Sequence, residues 1–266
     1  MQDLNQNQQN SPLYISFCTQ KGGAGKSVFT TLAASFLHYE MGFNVAVIDC
    51  DFPQWSVQKL RERESEQIMR NIFYKRKVAA LFQKIGKPAY PVVPVQPENA
   101  LTKAKEFLEN RKEHYDLVLF DLPGTVNNRS VVEIYFNMDY LFVPLTTSRI
   151  NMESTLNFIV RVHEIIRKNP QIRLKTIQTF WNRISGREKQ ELSDMYNNAL
   201  AELEVPVMQT RIPQSVKYDR EQSVQGSDCV FLSTLFPPDK PLLKGSNWDV
   251  FMNEFIKLTN LKATWK

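Results

Sequence analysis

Cysteine is scarce in this chain and never paired along it. Cys18, Cys50 and Cys229 are the only three, with no C-x-x-C spacing among them. That pattern disfavours a disulfide framework, a zinc site or an iron–sulfur cluster, and a reducing cytoplasm is the simplest home for such a chain. Histidine is equally rare. His38, His114 and His163 have no second histidine or cysteine nearby in sequence, so each reads as a packing residue rather than a metal ligand. Also absent are a secretory leader and any apolar run near the roughly 18 residues that span a bilayer, which leads to the expectation of a soluble protein. No internal repeat is evident.

What is present suffices for one sizeable core. With 266 residues, 42% of them hydrophobic, the chain is of a length at which α/β folds are often single domains. The expected organisation is one domain over residues 12–266, preceded by a Gln/Asn-rich lead over 1–11 that cannot bury a core and reads as disordered.

The most informative segment is Gln20-Lys21-Gly22-Gly23-Ala24-Gly25-Lys26-Ser27. A phosphate-binding loop needs converging backbone N–H groups, a lysine that reaches the β/γ-phosphates and a Ser/Thr hydroxyl for Mg²⁺. Lys26 and Ser27 fit the last two roles. The ordinary spacing G-x-x-x-x-G-K-S/T would place glycine at position 20, where Gln20 stands, so the loop is a deviant form with an extra lysine at Lys21. Two ammonium groups so close would repel unless several phosphate charges lay between them, and a nucleoside triphosphate supplies those. The flanks agree: Leu13 to Thr19 is an apolar, β-rich run, and Val28, Leu32, Ala33, Phe36 and Leu37 recur at helical spacing until Gly42.

Two further strands end in acids. Asn44-Val45-Ala46-Val47-Ile48-Asp49-Cys50-Asp51 ends in two, and Asp116-Leu117-Val118-Leu119-Phe120-Asp121 ends in one. Open parallel sheets bind ligands beyond the carboxyl ends of their strands, so these acids face the nucleotide. Asp121 reads as the Walker B carboxylate on Mg²⁺ through water, or as a helix or turn cap. Asp51 has the alternative of a surface loop acid. Alternation of strand and helix along the chain predicts a doubly wound, mostly parallel sheet with helices on both faces. A single helical stretch is expected over Gln54 to Lys87, with the mixed charges of Lys59 to Glu66 on a solvated face, then a strand near Tyr90 to Val95 and a helix from about Asn99 to Glu113. Another strand is expected over Tyr140 to Leu145, then a helix carrying Leu156, Ile159, Val160, His163 and Ile166.

The order K-G-G-x-G-K-S/T, with the D-x-D pair, resembles the ParA/MinD/Soj family of P-loop ATPases. The resemblance implies that Gly22, Gly23, Ala24, Gly25, Lys26, Ser27 and Val28 bind the nucleotide and that Lys21 reaches in trans to the phosphates of a partner in an ATP-dependent sandwich homodimer. It further implies that Asp49 supports the Mg²⁺ shell with Ser27 and Asp121, and that Asp51 positions the attacking water. Phe52 intervenes before Pro53 and Gln54, where the family commonly continues straight into Pro-Gln, so no role is assigned to Gln54. Asn182 and Pro213, each at the end of an apolar strand, resemble the family's adenine contacts, with local turn formation as the alternative. Asn182 is followed by Arg183-Ile184-Ser185 rather than an N-K-x-D sequence, so ATP is expected over GTP. The cysteine pattern argues against the nitrogenase iron-protein branch, and the short lead leaves no room for the helix-turn-helix domain of larger ParA proteins.

Partners follow from the same resemblance. Net charge is +5 and the pI near 9.0, which permits phosphate-backbone contact, and the ParA-like expectation is sequence-independent binding to double-stranded DNA, a ParB-like or other stimulating protein, and a nucleoid-associated cytoplasmic location. Candidate basic residues are Arg173, Lys175, Arg187, Lys189, Arg211, Lys217 and Arg220. The segments Leu13 to Phe17 and Asn44 to Asp51 also look like ParA-like proteins of conjugative transposons. Trp248, Phe251, Phe255 and Leu258 have helical spacing that could suggest a MinD-like membrane helix. Core packing is preferred, because Phe236 to Pro241 reads as a return loop and Asp249 and Glu254 weaken an anionic-membrane face, so no membrane partner is expected. The alternatives are a MinD-like positioning ATPase and a small-molecule ligase using the same loop.

Overall fold

The computed structural model describes residues 11–19, 25–124, 129–184, 190–222 and 229–262. Six strands form one sheet: β1 (Leu13–Phe17), β2 (Val45–Asp49), β3 (Val92–Pro94), β4 (Leu117–Asp121), β5 (Tyr140–Leu145) and β6 (Thr176–Trp181). Their order across the sheet is β3-β2-β4-β1-β5-β6, and every pairing is parallel. The helices are α1 (Lys26–Ser35), α2 (Ser56–Arg70), α3 (Ile72–Ile85), α4 (Ala100–Glu109), α5 (Arg129–Phe136), α6 (Arg149–Lys168), α7 (Gln190–Glu202), α8 (Lys240–Leu243) and α9 (Trp248–Thr259).

A strand buried on both faces reads as a continuous apolar run, because successive side chains alternate between two cores. Ile15, Phe17, Val45, Val47, Leu117, Leu119, Phe142 and Phe180 project to one face, where they meet Phe29 and Leu32 of α1, Leu60 of α2 and Trp248, Phe251 and Phe255 of α9. The intervening Ala46, Ile48, Val118, Phe120, Leu141, Val143 and Ile177 project to the other, against α4, α5, α6 and α7. The fold is thus a doubly wound α/β sheet. The chain leaves β1 in one direction along the sheet and β4 in the other, which opens a crevice at the carboxyl ends of the central strands.

The C-terminal apolar series packs in the core. Trp248, Phe251 and Phe255 are fully buried, each contributing about 1.5–3 kcal/mol by removal from water. Glu254 is drawn into the same anchorage, its carboxylate accepting from the Gln209 and Thr210 N–H groups at 2.7 and 2.9 Å.

The expected single helix over Gln54 to Lys87 is two. Asn71 is extended (φ −122°, ψ 114°), and its side chain accepts from the Phe73 N–H at 2.9 Å, which ends α2 and caps α3. Nor do the charges of Lys59 to Glu66 all lie in solvent. Glu64 is buried, accepting from the Thr234 N–H at 2.8 Å, from the Thr234 hydroxyl and from Gln222 Nε2 at 3.2 Å. Burial pushes its carboxyl up to about 7 despite the bonds from Ser233 and Thr234. Beside it Arg61 donates to Thr234 Oγ1 (2.7 Å), Thr234 O (2.9 Å) and Tyr90 O (3.0 Å). Strand β3 and helix α4 are also shorter than the sequence pattern suggests.

Candidate functional site

Strand β1 ends at the sheet's carboxyl edge, and α1 begins at Lys26, directly after Gly25. Lys21, Gly22, Gly23 and Ala24 lie outside the described residues. Gly25 does not: it precedes α1 with φ +89°, the left-handed region, and a Cβ there would meet Phe29 Cε2 at 3.2 Å, so backbone and space both call for glycine. Lys26 and Ser27 are the first two residues of α1, and Lys26 is buried. This helix start has no side-chain cap and no acid in its first turn. The first-turn N–H groups and positive dipole end of a helix suit a phosphate.

The three strand-end acids converge beside it. Asp49 and Asp121 are register partners on β2 and β4, and Cys50 N–H donates to Asp121 O at 2.8 Å. Both side chains are fully buried. Asp49 is occupied: Oδ1 accepts from the Asp51 N–H (3.2 Å) and Oδ2 from the Gln58 N–H in the first turn of α2 (2.9 Å). Burial raises its carboxyl, opposed by those bonds. Asp121 is different. Neither oxygen has a hydrogen bond of full geometry, although the Ser27 hydroxyl and the Lys26 ammonium lie close enough to favour its ionised form. Burial, reinforced by the charge of Asp49, pushes the Asp121 carboxyl up to about 8. Asp51, half-buried, accepts from Ser56 Oγ at 3.3 Å, and its carbonyl holds the Trp55 N–H at 2.7 Å in a turn where Trp55 is left-handed (φ 43°).

An orphaned buried carboxylate beside a serine hydroxyl is a fitting oxygen set for a hard cation. Among the described residues no three acidic, histidine or cysteine side chains form a cage that could hold a metal unaided. Mg²⁺ matches this sparse arrangement, since it keeps several waters and takes one or two protein oxygens alongside substrate phosphates.

The remaining candidates meet at one cavity. Gly25, Val28, Asn182 and Pro213 line a space of about 290 Å³, together with Phe29 and Tyr218. Asn182 follows β6, is buried, and donates its N–H to Leu145 O at 2.8 Å. A parallel bridge between Ile184 and Pro213, with Ile212 N–H donating to Trp181 O at 2.8 Å, lays the Pro213 segment against the end of β6. Sequence reasoning misses Tyr218, which stacks edge-on to Phe29 and Trp248 and carries no motif of its own. Arg183 is legible in the sequence only as the residue that breaks N-K-x-D, yet it lines the cavity with φ +56°.

The candidate basic residues do not share one surface role. Arg173 donates to Asp139 Oδ2 at 2.7 Å and to Pro12 O at 2.9 Å and covers the Tyr14 ring at 4.1 Å, while Lys175 reaches Asp139 Oδ1 at 3.3 Å. Both fasten the amino-terminal edge of the sheet, opposite the crevice. Lys217 bonds Lys244 O, Arg211 lines a second cavity with Trp181, and Arg220 is exposed. Arg187 and Lys189 lie outside the described residues. His38 is buried against Pro88 O at 2.9 Å, and His114 and His163 are half-buried.

Comparison with known proteins agrees with this layout. The family model described as the CobQ/CobB/MinD/ParA nucleotide binding domain matches residues 15–225. Among solved structures, the MinD cell division protein of Aquifex aeolicus superposes with a TM-score of 0.57 at 16% identity, covering 96% of this chain and 100% of that one. A plasmid partition protein of Borrelia burgdorferi gives 0.55 at 16% identity, covering 93% and 99%. Cobyrinic acid a,c-diamide synthase of Mycobacterium smegmatis, with bound ADP and magnesium, gives 0.55 at 15%, covering 96% and 100%. At these identities the structural likeness carries the fold, and the family rests on the matched domain. The chain belongs to the CobQ/CobB/MinD/ParA nucleotide-binding family.

Proposed function

We propose that this protein is a ParA-type ATPase that dimerises around ATP, binds double-stranded DNA without sequence preference and hydrolyses ATP slowly until a protein partner stimulates it. The observation that carries the reading is the buried, unbonded Asp121 carboxylate beside Ser27 and Lys26 at the start of α1, next to the Asp49–Asp51 turn. In this reading Lys26 and the N–H groups of Gly22 to Ser27 hold the phosphates, and Ser27 with Asp121 holds Mg²⁺. Asn182 and the Pro213 backbone take the adenine in the cavity against Val28. Mg²⁺ held by Ser27 and Asp121 would neutralise the charge that develops on the phosphates.

Asp49 acts here as a positioning residue. Its oxygens fix the Asp51 N–H and the first turn of α2, so the Asp51 carboxylate is held at the crevice to orient an attacking water. Lys21 completes the site from the partner protomer. The motif-level contrast with a small-molecule ligase is the second lysine together with the D-x-D pair, and the plasmid partition relative supports a role in partition or in maintenance and transfer of a mobile element. A nucleoid-associated cytoplasmic location belongs to the same reading.

The test is binding to random-sequence duplex DNA with ATP, ADP and no nucleotide, with light scattering for dimerisation and a salt series. Salt-sensitive binding only with ATP is the expected result. ATP-driven dimers indifferent to DNA would move the protein to a MinD-like positioning role.

A further inference from the structure

The corner between α2 and α3 carries an apolar tip that the nucleotide site does not use. Met69, Ile72 and Phe73 are 83%, 64% and 46% exposed, within five consecutive positions. Isolated exposed apolar residues need no explanation, but a contiguous cluster of large ones does. The tip is held outward by its own anchorage. Tyr74, the next residue, is fully buried against Phe236, and Lys77 bonds Asp239 at 2.9 Å, so the inward face of α3 is already taken and its outward face carries Ile72 and Phe73. The Asn71 cap fixes the bend that separates Met69, in the last turn of α2, from Ile72 and Phe73 at the start of α3.

Charge surrounds the tip asymmetrically. Helix α3 contains Lys75, Arg76, Lys77 and Lys84 and no carboxylate. Lys75 and Arg76 are exposed, and Arg70 at the end of α2 is exposed with Glu66 as its salt-bridge partner at 3.6 Å. Exposed apolar residues flanked on the α3 side by exposed cations match the boundary of an anionic bilayer, where the apolar side chains enter the headgroup–acyl region and the cations meet lipid phosphates. A duplex would use the cations yet leave Met69 and Ile72 without a role. A partner helix would be seated in a groove, whereas these three side chains are themselves exposed, Met69 most of all.

We propose that Met69, Ile72 and Phe73, with Arg70, Lys75 and Arg76, form a site by which the protein docks reversibly on an anionic membrane surface. The site is separate from α9, whose apolar face is buried, and does not depend on the nucleotide reading. No helix among the described residues is long and apolar enough to cross a membrane, so the contact is interfacial.

The experiment is co-sedimentation of the full chain, without nucleotide, with vesicles of phosphatidylcholine alone and of phosphatidylcholine mixed with phosphatidylglycerol. Binding is expected to the mixed vesicles only and to weaken with salt. Lys75→Gln with Arg76→Gln should lower the partition coefficient about five-fold per charge, following about 1 kcal/mol for each cation near an anionic surface. Ile72→Ser with Phe73→Ser should lower it further, with ATP turnover unchanged in both variants. Equal binding to both vesicle types, binding to neither, or variants that bind like the parent would overturn the proposal. So would vesicle-inert protein whose duplex DNA binding is lost in the Lys75/Arg76 variant, which assigns the surface to nucleic acid. The comparison of the two vesicle types on the unaltered chain does not depend on any variant folding.

Discussion

Asp49 and Asp121 sit side by side as register partners at the carboxyl ends of β2 and β4, equally buried, yet one is fully engaged and the other is bare. Asp49 spends its oxygens on the N–H groups of Asp51 and Gln58, and Asp121 has no hydrogen bond of full geometry. A buried carboxyl short of hydrogen bonds is costly to ionise unless a ligand compensates it, so the two acids differ in what they can do. One shapes the turn, and under the proposed function the other takes part in holding a cation.

Replacing Asp121 by Asn should therefore stabilise the nucleotide-free protein while removing Mg²⁺-dependent turnover. Asn removes the carboxyl that the buried site must keep protonated, a gain of at most about 1.4 kcal/mol for each pH unit between the unfolded and native pKa values, to be read as a rise in denaturant midpoint at neutral pH. With the native carboxyl near 8, above its unfolded value, its stabilising contribution is present below the unfolded pKa and fades as pH rises toward 8. The gap between variant and parent should accordingly widen from pH 5 to 8. A parent that is more stable than the variant at pH 8 would remove Asp121 from this role.

Lys26→Ala should weaken ATP binding by about 10–100-fold, the worth of a hydrogen bond to a charged group at about 1.5–3 kcal/mol. Calorimetry reads this directly, and parental affinity would free Lys26 from the phosphates. Lys21→Ala separates the two lysines: it should bind ATP as a monomer, and an ATP-dependent dimer on size exclusion would contradict action in trans.

Asp51→Ala should leave ATP affinity near parental and lower turnover by about 10²–10⁴-fold, the range of a positioned acid–base group. The ATP-bound dimer should then accumulate in light scattering. Unchanged turnover moves the water-positioning role elsewhere.

Glu64→Gln addresses the buried polar cluster. The native carboxyl near 7 lies above its unfolded value, so its contribution to stability is full below the unfolded pKa and is lost as pH rises through 7. One such group contributes a slope of at most about 1.4 kcal/mol per pH unit. Denaturant midpoints measured from pH 5 to 8 should fall less steeply in the variant, and identical slopes would show that Glu64 titrates normally.

Patterns that depend on neighbouring positions are legible in the sequence. Val45 to Ile48 and Leu117 to Phe120 are apolar at every position because each strand is covered on both sides, and the acids closing them mark the carboxyl edge. The break at Asn71 is hidden by polar and apolar residues that satisfy a helical period on both sides of it. Its one local signal is an asparagine suited to an N-cap. The charge pattern places Glu64 in solvent because most of its charged neighbours in sequence are indeed exposed, whereas its donors come from Thr234, 170 positions away.

The sequence by itself determined the order of glycines and lysines before α1, the doubly wound class and the position of each acid at a strand end, because glycine backbone freedom, apolar runs and terminal carboxylates act within a few residues. Only the tertiary structure decided which acid is engaged and which is bare, that Asn182 and Pro213 share a cavity with Gly25 and Val28, and that Tyr74 turns inward while Phe73 faces solvent. Those outcomes depend on parallel register and long-range packing, which bring together segments whose spacing along the chain carries no periodic signal.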